Sequence, residues 1–139
     1  FGEVARVTAA LLSASGKPGD GNENGEAILE FKNGITAVLS AGWMDLDNPM
    51  PVYIGGTSGY AYKLKDRFYF QSQKVEGADG RRAWTKYPPG RPPALELFLD
   101  AVGGQKEIPL MTAREAAARC KVMEAIYQSA RQHRWIEKN

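Results

Sequence analysis

The spacing of hydrophobic residues changes along the chain. Roughly the first two thirds contain short segments rich in β-branched and aromatic residues, separated by turns of Gly, Pro, Asn and Asp, a pattern typical of β-strands. Toward the C-terminus, apolar residues recur at spacings of three and four, which is typical of amphipathic helices. We expect strands at 3–13, 26–32, 35–43, 52–55, 59–64, 67–73 and 83–87, and helices at 94–102 and after Thr112. This order predicts an α+β fold, with a large, mostly antiparallel open β-sheet and the C-terminal helices packed on one face.

The pair Asn33-Gly34 is the strongest turn signal in the chain. Asn-Gly favours a two-residue hairpin turn because both positions tolerate positive φ. Such a turn would place Leu29 opposite Val38 and Ile28 opposite Leu39, so that both faces of the hairpin carry apolar residues. We therefore expect helices to cover one face and another domain or subunit to cover the other.

The last helix has a clear start and one apolar side. Thr112 is a favourable N-cap, and Glu115 three residues later completes a capping box. We expect the buried stripe to consist of Ala116, Cys120, Met123, Ile126, Tyr127 and Ala130. Cys120 is the single cysteine, so an internal disulfide is impossible, and this favours a reducing, cytoplasmic location.

Length and charge limit the possible functions. The 139 residues fit a single domain spanning 1–139. Lys and Arg number 18 against 16 Asp and Glu, and the resulting net charge of +2 argues against nucleic-acid binding. No apolar run approaches the roughly 20 residues of a membrane-spanning helix. The chain begins at Phe1 with no signal peptide, which leads us to expect a piece of a longer protein.

Three patterns suggest a binding site but are better explained as ordinary turns or as strand packing. Residues 20–25 match the first half of a calcium loop, but Phe31 stands where the bidentate Glu belongs. The glycines of 55–59 resemble a phosphate loop, yet a strand pattern follows them instead of a helix. The alternating aromatic and basic residues of 60–70 have the spacing of cross-strand packing. The lone His133 has no partner placed by the sequence, so we predict no metal site and no catalytic residue.

Several segments in order resemble one known family. After the Asn-Gly hairpin, a strand ends in Ser40-Ala41-Gly42-Trp43, and the segment 52–60 reads Val-Tyr-Ile-Gly-Gly-Thr-Ser-Gly-Tyr. A Phe-containing helix at 95–101 and the final helix at 122–130, followed by Trp135-Ile136, complete the pattern. This order resembles the C-terminal sheet domain of the Gfo/Idh/MocA oxidoreductases.

The resemblance implies a role within a larger enzyme. Members of that family are NAD(P)-dependent sugar or polyol dehydrogenases whose N-terminal Rossmann domain binds the cofactor. Their catalytic Lys, in a Glu-Lys-Pro motif, and their Asp/His helix motif have no counterpart in this chain. The resemblance therefore implies a missing N-terminal Rossmann domain, NAD(P) bound by the parent and not by this chain, and no hydride transfer by this chain alone.

By the same resemblance, substrate contacts would come from strand ends and loops of this domain. The corresponding residues are Trp43, Asp45, Tyr87 and Arg91, facing a small sugar or polyol. The parent would be a homo-oligomer joined through one sheet face. A stand-alone module that dimerises through its sheet, or one that binds a small ligand, remains an alternative function.

Overall fold

The fold of the chain was obtained as a computed structural model, which describes residues 1–13, 23–43 and 45–138. It contains, in order, β1 (Val4–Leu12), β2 (Asn24–Phe31), β3 (Thr36–Gly42), β4 (Val52–Gly56), β5 (Gly59–Leu64), β6 (Arg67–Ser72), β7 (Asp79–Ala83), α1 (Ala94–Val102), α2 (Ala113–Gln132) and β8 (Ile136–Glu137). All strand pairs in the described residues are antiparallel. The predicted α+β class is confirmed, and these residues contain no Rossmann domain.

The chain divides into two compact units. Unit 1 comprises Phe1–Met44 and Pro109–Asn139, and unit 2 comprises Asp45–Ile108. The antiparallel strands are shared between two four-stranded sheets, with the order β3-β2-β1-β8 in unit 1 and β4-β5-β6-β7 in unit 2. Within the described part of the chain, no helix is long and apolar enough to cross a membrane.

The β2–β3 hairpin forms where expected, but its register differs from the predicted one. Ile28 pairs with Val38 and Ala27 with Leu39, one residue away from the predicted pairing. The Phe31 N–H donates to the Ile35 carbonyl at 2.8 Å, and Gly34 has φ of +86°, which together make a three-residue loop with a bulged glycine. The shift moves Val38 to the face of Ile28 and Leu39 to the face of Leu29.

The sheet of unit 1 therefore has two different faces. The helix-side face carries Val7, Leu11, Gly25, Ala27, Leu29, Leu39 and Ala41, and the open face carries Thr8, Leu12, Ile28 and Val38. Helix α2 packs against β1 on the helix-side face. The buried core there consists of Val7, Ala27, Leu29, Ala125 and Ile126.

The start of α2 confirms the sequence prediction, and the predicted stripe is confirmed in part, because Ile126 is buried and Ala116 and Ala130 are partly buried. The capping box is present, with the Thr112 side chain accepting from the Glu115 N–H and the Glu115 side chain accepting from the Thr112 N–H. The buried residues of α2 are Ala125, Ile126 and Ser129, while Cys120, Met123 and Tyr127 are exposed. The small side chains of Ala125 and Ser129 allow the helix backbone to approach β1 closely, and Ile126 beside them packs into the core.

Ser129 joins the end of α2 to the sheet. Its side chain is fully buried, its Oγ accepts a hydrogen bond from the Ala9 N–H at 3.0 Å, and its hydroxyl donates to the Arg134 carbonyl at 2.6 Å. The two residues that it bridges lie just beyond the β1–β8 pairs, of which Val7 with Ile136 is the last. The hydroxyl therefore satisfies backbone groups beyond the end of the β1–β8 pairing. The short strand β8 was not predicted from the sequence.

Unit 2 follows the predicted order with one displaced strand. The segment 83–87 was predicted as a strand, but β7 is Asp79–Ala83 and residues 84–87 are irregular. The turn before β7 includes Gly77 with φ of +76°, and the Asp79 side chain accepts from the Arg81 N–H at 2.9 Å. Helix α1 has the predicted bounds, and none of its residues is buried. Tyr62 and Tyr69 stack with ring centroids 5.0 Å apart, which confirms the predicted cross-strand packing.

Candidate functional site

Unit 1 contains a cavity of about 370 Å³ between α2 and the helix-side face of the sheet. It lies at the end of the sheet where β1 and β3 finish and β2 begins. A volume of this size falls within the range of about 300–1,000 Å³ that is usual for small-molecule sites. Most of the lining is apolar, and it includes Leu11, Ala27, Leu39, Trp43, Met123 and Tyr127.

Small residues in the middle strand make room for the cavity. The register places Gly25 between Leu11 and Ala41. A Cβ added to Gly25 would meet Leu11 Cδ2 at 2.7 Å, so the leucine side chain lies across the bare backbone of the glycine. Because residues this small project little from the sheet, the space beneath Met123 and Tyr127 stays unfilled.

Trp43, one of the four predicted substrate-facing residues, lines the cavity. It follows the last residue of β3, and its N–H donates to the Glu23 carbonyl at 3.1 Å. The side chain is not a core residue, since 68% of Trp43 remains exposed. The indole is therefore held at the rim by its backbone and is free to contact a ligand.

Glu23 brings a buried polar group to the same cavity. The residue is only 5% exposed, and its backbone N–H donates to the Leu12 carbonyl at 2.9 Å. Counting back along β2, Glu23 has the same parity as Gly25 and Ala27 and so belongs to the helix-side face. In the sequence, Glu23 lies within the calcium-loop pattern of residues 20–25, before the predicted start of the strand at residue 26. The available signal was the alternation of β2 itself, which extends two residues further toward the N-terminus than predicted.

The other three predicted site residues belong to unit 2. Tyr87 is largely exposed and its ring centroid lies 6.3 Å from that of Phe68. Asp45 and Arg91 are exposed in segments without regular structure. Their role in substrate contact remains a prediction.

Three charged groups of unit 1 that have displaced pKa values lie outside the cavity. The Lys32 ammonium, which hydrogen-bonds to Glu3, lowers the pKa of that carboxyl. The Glu30 carboxylate raises the pKa of Arg6 through a hydrogen bond of 2.7 Å. Glu115 has a lowered pKa because the backbone N–H and the hydroxyl of Thr112 donate to its carboxylate. Each of these three carboxyl or guanidinium groups is exposed on the surface of the protein.

Two of the binding patterns considered in the sequence do not have the geometry that they require in the described residues. Those residues contain no group of three or more His, Cys, Asp and Glu side chains arranged to hold a metal ion. Of the proposed calcium segment, residues 20–22 lie outside the described residues, and Asn24 and Gly25 belong to β2. The glycines of 55–59 join two antiparallel strands, whereas a dinucleotide site needs the glycine turn to lead from a strand into a helix.

Comparison with known proteins identifies the architecture. No protein-family model matches the chain, and no curated protein matches it. Among solved structures, an NAD-binding protein from Listeria innocua superimposes with a TM-score of 0.72 at 23% identity. An oxidoreductase from Agrobacterium radiobacter, in complex with NAD+, L-tartaric acid and magnesium, superimposes with a TM-score of 0.73 at 18% identity. The WlbA dehydrogenase from Bordetella pertussis, in complex with NADH and UDP-GlcNAcA, superimposes with a TM-score of 0.67 at 19% identity.

The fold is that of the C-terminal domain of Gfo/Idh/MocA-type oxidoreductases. This confirms the architecture expected from the sequence resemblance. The matches cover 99%, 97% and 99% of this chain but only 42%, 43% and 40% of the respective proteins. The chain thus spans less than half the length of the structures that it resembles.

Proposed function

We propose that this chain is the C-terminal substrate-binding and oligomerisation domain of an NAD(P)-dependent sugar or polyol dehydrogenase of the cytoplasm. One observation carries the proposal: nearly the whole chain superimposes on proteins described as NAD-binding or as oxidoreductases, while covering about two fifths of each. In this proposal the cofactor and the acid-base group belong to a Rossmann domain of the parent, and this chain supplies one wall of the substrate site.

Trp43 is the proposed substrate-contacting residue with the most direct structural support. Its exposed indole adjoins a cavity of suitable size, and a flat aromatic surface packs well against the C–H face of a sugar ring. Asp45, Tyr87 and Arg91 are exposed, as substrate-contacting residues must be before substrate binds. We retain them as secondary candidates.

The open face of the unit 1 sheet supports the oligomerisation part of the proposal. Val38 is 71% exposed and Leu12 57% exposed on this face, and Ile28 lies beside Val38 in the register. We propose a second copy of the chain as the partner, because a two-fold axis would bring the same exposed apolar patch of both copies together. Replacing Val38 by Lys should then convert the oligomer to a smaller species in light scattering, and an unchanged mass would count against this surface.

The test of the dehydrogenase assignment begins with the complete reading frame. It should encode a strand followed by Gly-x-Gly-x-x-Gly upstream of Phe1, and the purified product should reduce NAD+ or NADP+ with a sugar or polyol. Trp43→Ala should raise KM roughly tenfold, equivalent to about 1.4 kcal/mol, with Trp43→Phe giving a smaller rise because a flat ring is retained. Val75→Ala, a change in the turn between β6 and β7, serves as the control. A reading frame that starts at Phe1 would overturn the assignment and favour the stand-alone module.

A further inference from the structure

We propose that the exposed apolar side of α1 is the surface on which an N-terminal domain of the same polypeptide docks. The inference rests on the proposed function, because that domain belongs to the longer parent protein. It assigns a partner to a helix that has no buried residue.

The apolar residues of α1 are concentrated on one side of the helix. Four large side chains at spacings of three and four form what we call the α1 stripe, and they are between 54% and 70% exposed: Leu95, Phe98, Leu99 and Val102. Leu97 and Asp100 project from the opposite side of the helix and are only partly exposed. Among the described residues, the most apolar side of α1 is therefore the side that is left uncovered.

A helix as short as α1 depends on packing for its stability. It has nine residues, whereas isolated helices shorter than about 12–15 residues are marginal in water. Within unit 2, α1 packs against none of the strands. Four prolines in the segment 88–93 stiffen the connection from the sheet to the helix, so the helix does not fold back easily onto those strands. A partner that binds the α1 stripe would supply the missing contact.

The charges of α1 favour a protein over a membrane as that partner. The two charged residues of the helix, Glu96 and Asp100, are both acidic. Amphipathic helices that lie on a membrane surface are rich in Lys and Arg, because these residues are attracted to anionic lipids. An exposed apolar patch without basic residues is instead typical of a contact with protein.

The length of the related structures indicates which protein surface is available. Those structures carry an additional N-terminal domain, and this chain covers only 42%, 43% and 40% of three of them. A domain on the same polypeptide has a high effective concentration at α1, whereas a second copy reaches the helix only by collision. The tethered domain is therefore the favoured partner for a surface of four side chains.

Docking at the α1 stripe would also position two of the predicted substrate-facing residues. Tyr87 and Arg91 lie shortly before α1, and the prolines of 88–93 make the connection between them and the helix stiff. A helix fixed to the N-terminal domain would hold both residues near the boundary between the two domains. Such boundaries are a preferred place for small-molecule sites.

Photocrosslinking in the complete protein identifies the partner of α1 directly. The variant Phe98→p-benzoylphenylalanine keeps an aromatic ring in the α1 stripe, and mass spectrometry after irradiation identifies the peptide that is joined to it. The crosslinked peptide should lie upstream of Phe1 in the same molecule, so the mass on a denaturing gel should not double. Leu97→p-benzoylphenylalanine is the matched control, and this product should be lost because Leu97 lies on the opposite side of the helix.

Hydrogen exchange provides a second measurement that needs no crosslink. In the complete protein, Phe98→Asp should make the amides of α1 exchange about tenfold faster or more, because a charge placed in an apolar contact weakens it. Val75→Asp introduces the same charge at an exposed apolar residue in the turn between β6 and β7. It should leave the exchange of α1 unchanged.

The outcomes separate this inference from the dehydrogenase assignment. A crosslink from position 98 to residues 1–139 of the same molecule, a crosslink to a second copy, or unchanged exchange of α1 in Phe98→Asp would overturn the docking surface. An active dehydrogenase without the upstream crosslink would overturn the inference and leave the proposed function standing. A protein with the upstream crosslink that reduces neither NAD+ nor NADP+ would do the opposite.

Discussion

Replacing Ser129 by Ala should weaken unit 1 more than any other loss of a single hydroxyl in the described residues. The change removes one oxygen that is fully buried, accepts from the Ala9 N–H and donates to the Arg134 carbonyl. No neighbouring strand replaces these bonds, because the β1–β8 pairing comprises only Arg6 with Glu137 and Val7 with Ile136. Alanine fits the space but leaves two backbone groups without partners.

The expected cost follows from those two groups. An unsatisfied buried donor or acceptor costs about 1–3 kcal/mol. Arg134 is itself exposed, so water can reach its carbonyl and reduce that part of the penalty. Alanine is also the better helix former by a few tenths of a kcal/mol. We therefore expect the free energy of unfolding to fall by about 2 kcal/mol.

Urea denaturation measures this free energy, and hydrogen exchange locates its origin. The midpoint should fall with an unchanged slope, and the Ala9 amide should exchange faster relative to amides of β2. Ser40→Ala is the control, because this exposed serine bonds only to the side chain of Glu26 among the described residues, and its loss should cost less than about 0.5 kcal/mol. The reasoning is refuted if both variants unfold alike and the protection of Ala9 is unchanged.

Two further predictions concern backbone geometry and helix capping. Gly59→Ala should strongly destabilise the β5–β6 pair, because its Cβ would clash with the Gln71 carbonyl oxygen. The Cβ of Gly34→Ala meets no atom within 4 Å, so this variant should cost only the positive-φ penalty of about 1–2 kcal/mol. Equal losses of stability in thermal denaturation would contradict this reasoning. Thr112→Ala should cost about 1 kcal/mol at neutral pH. Folding lowers the pKa of Glu115, so its carboxylate stabilises the fold above the pKa of the unfolded chain. This stabilisation is lost as the pH falls through the pKa of the folded state. Glu115→Gln and the unmodified protein should therefore converge in stability in acid.

Local features of the sequence were sufficient to predict those elements whose start or end is determined by a few neighbouring residues. The bounds of α1 follow from its apolar spacing and the Gly103-Gly104 stop, and Gly104 indeed has φ of +91°. The capping box of α2 needs only Thr112 and Glu115. Such elements depend on backbone groups that are satisfied locally, so their prediction does not require the tertiary structure.

Features that depend on contacts between elements were not predictable in the same way. Asn33-Gly34 is compatible with both a two- and a three-residue loop, and only the pairing of whole strands decides between them. The buried side of α2 depends on how the helix approaches β1, and this places the small residues Ala125 and Ser129 beside Ile126 at the contact, while Met123 and Tyr127 stay exposed. The burial of Glu23 was missed because β2 begins two residues before its predicted start, so the alternation that assigns Glu23 to the helix-side face was not extended to it.

The alternation of β2 separates the two roles that we propose for unit 1. Odd-numbered residues such as Glu23 and Gly25 face the cavity, while Ile28 and its partner Val38 lie on the open face. A strand places neighbouring side chains on opposite faces, so a charge introduced at Ile28 reaches the proposed subunit contact without entering the ligand site. Ile28→Lys should thus change the mass of the assembly but not the KM of the complete enzyme, and Trp43→Ala should do the reverse. If either substitution changed both properties, the two faces would not act independently, and the assignment of ligand binding to one and association to the other would fail.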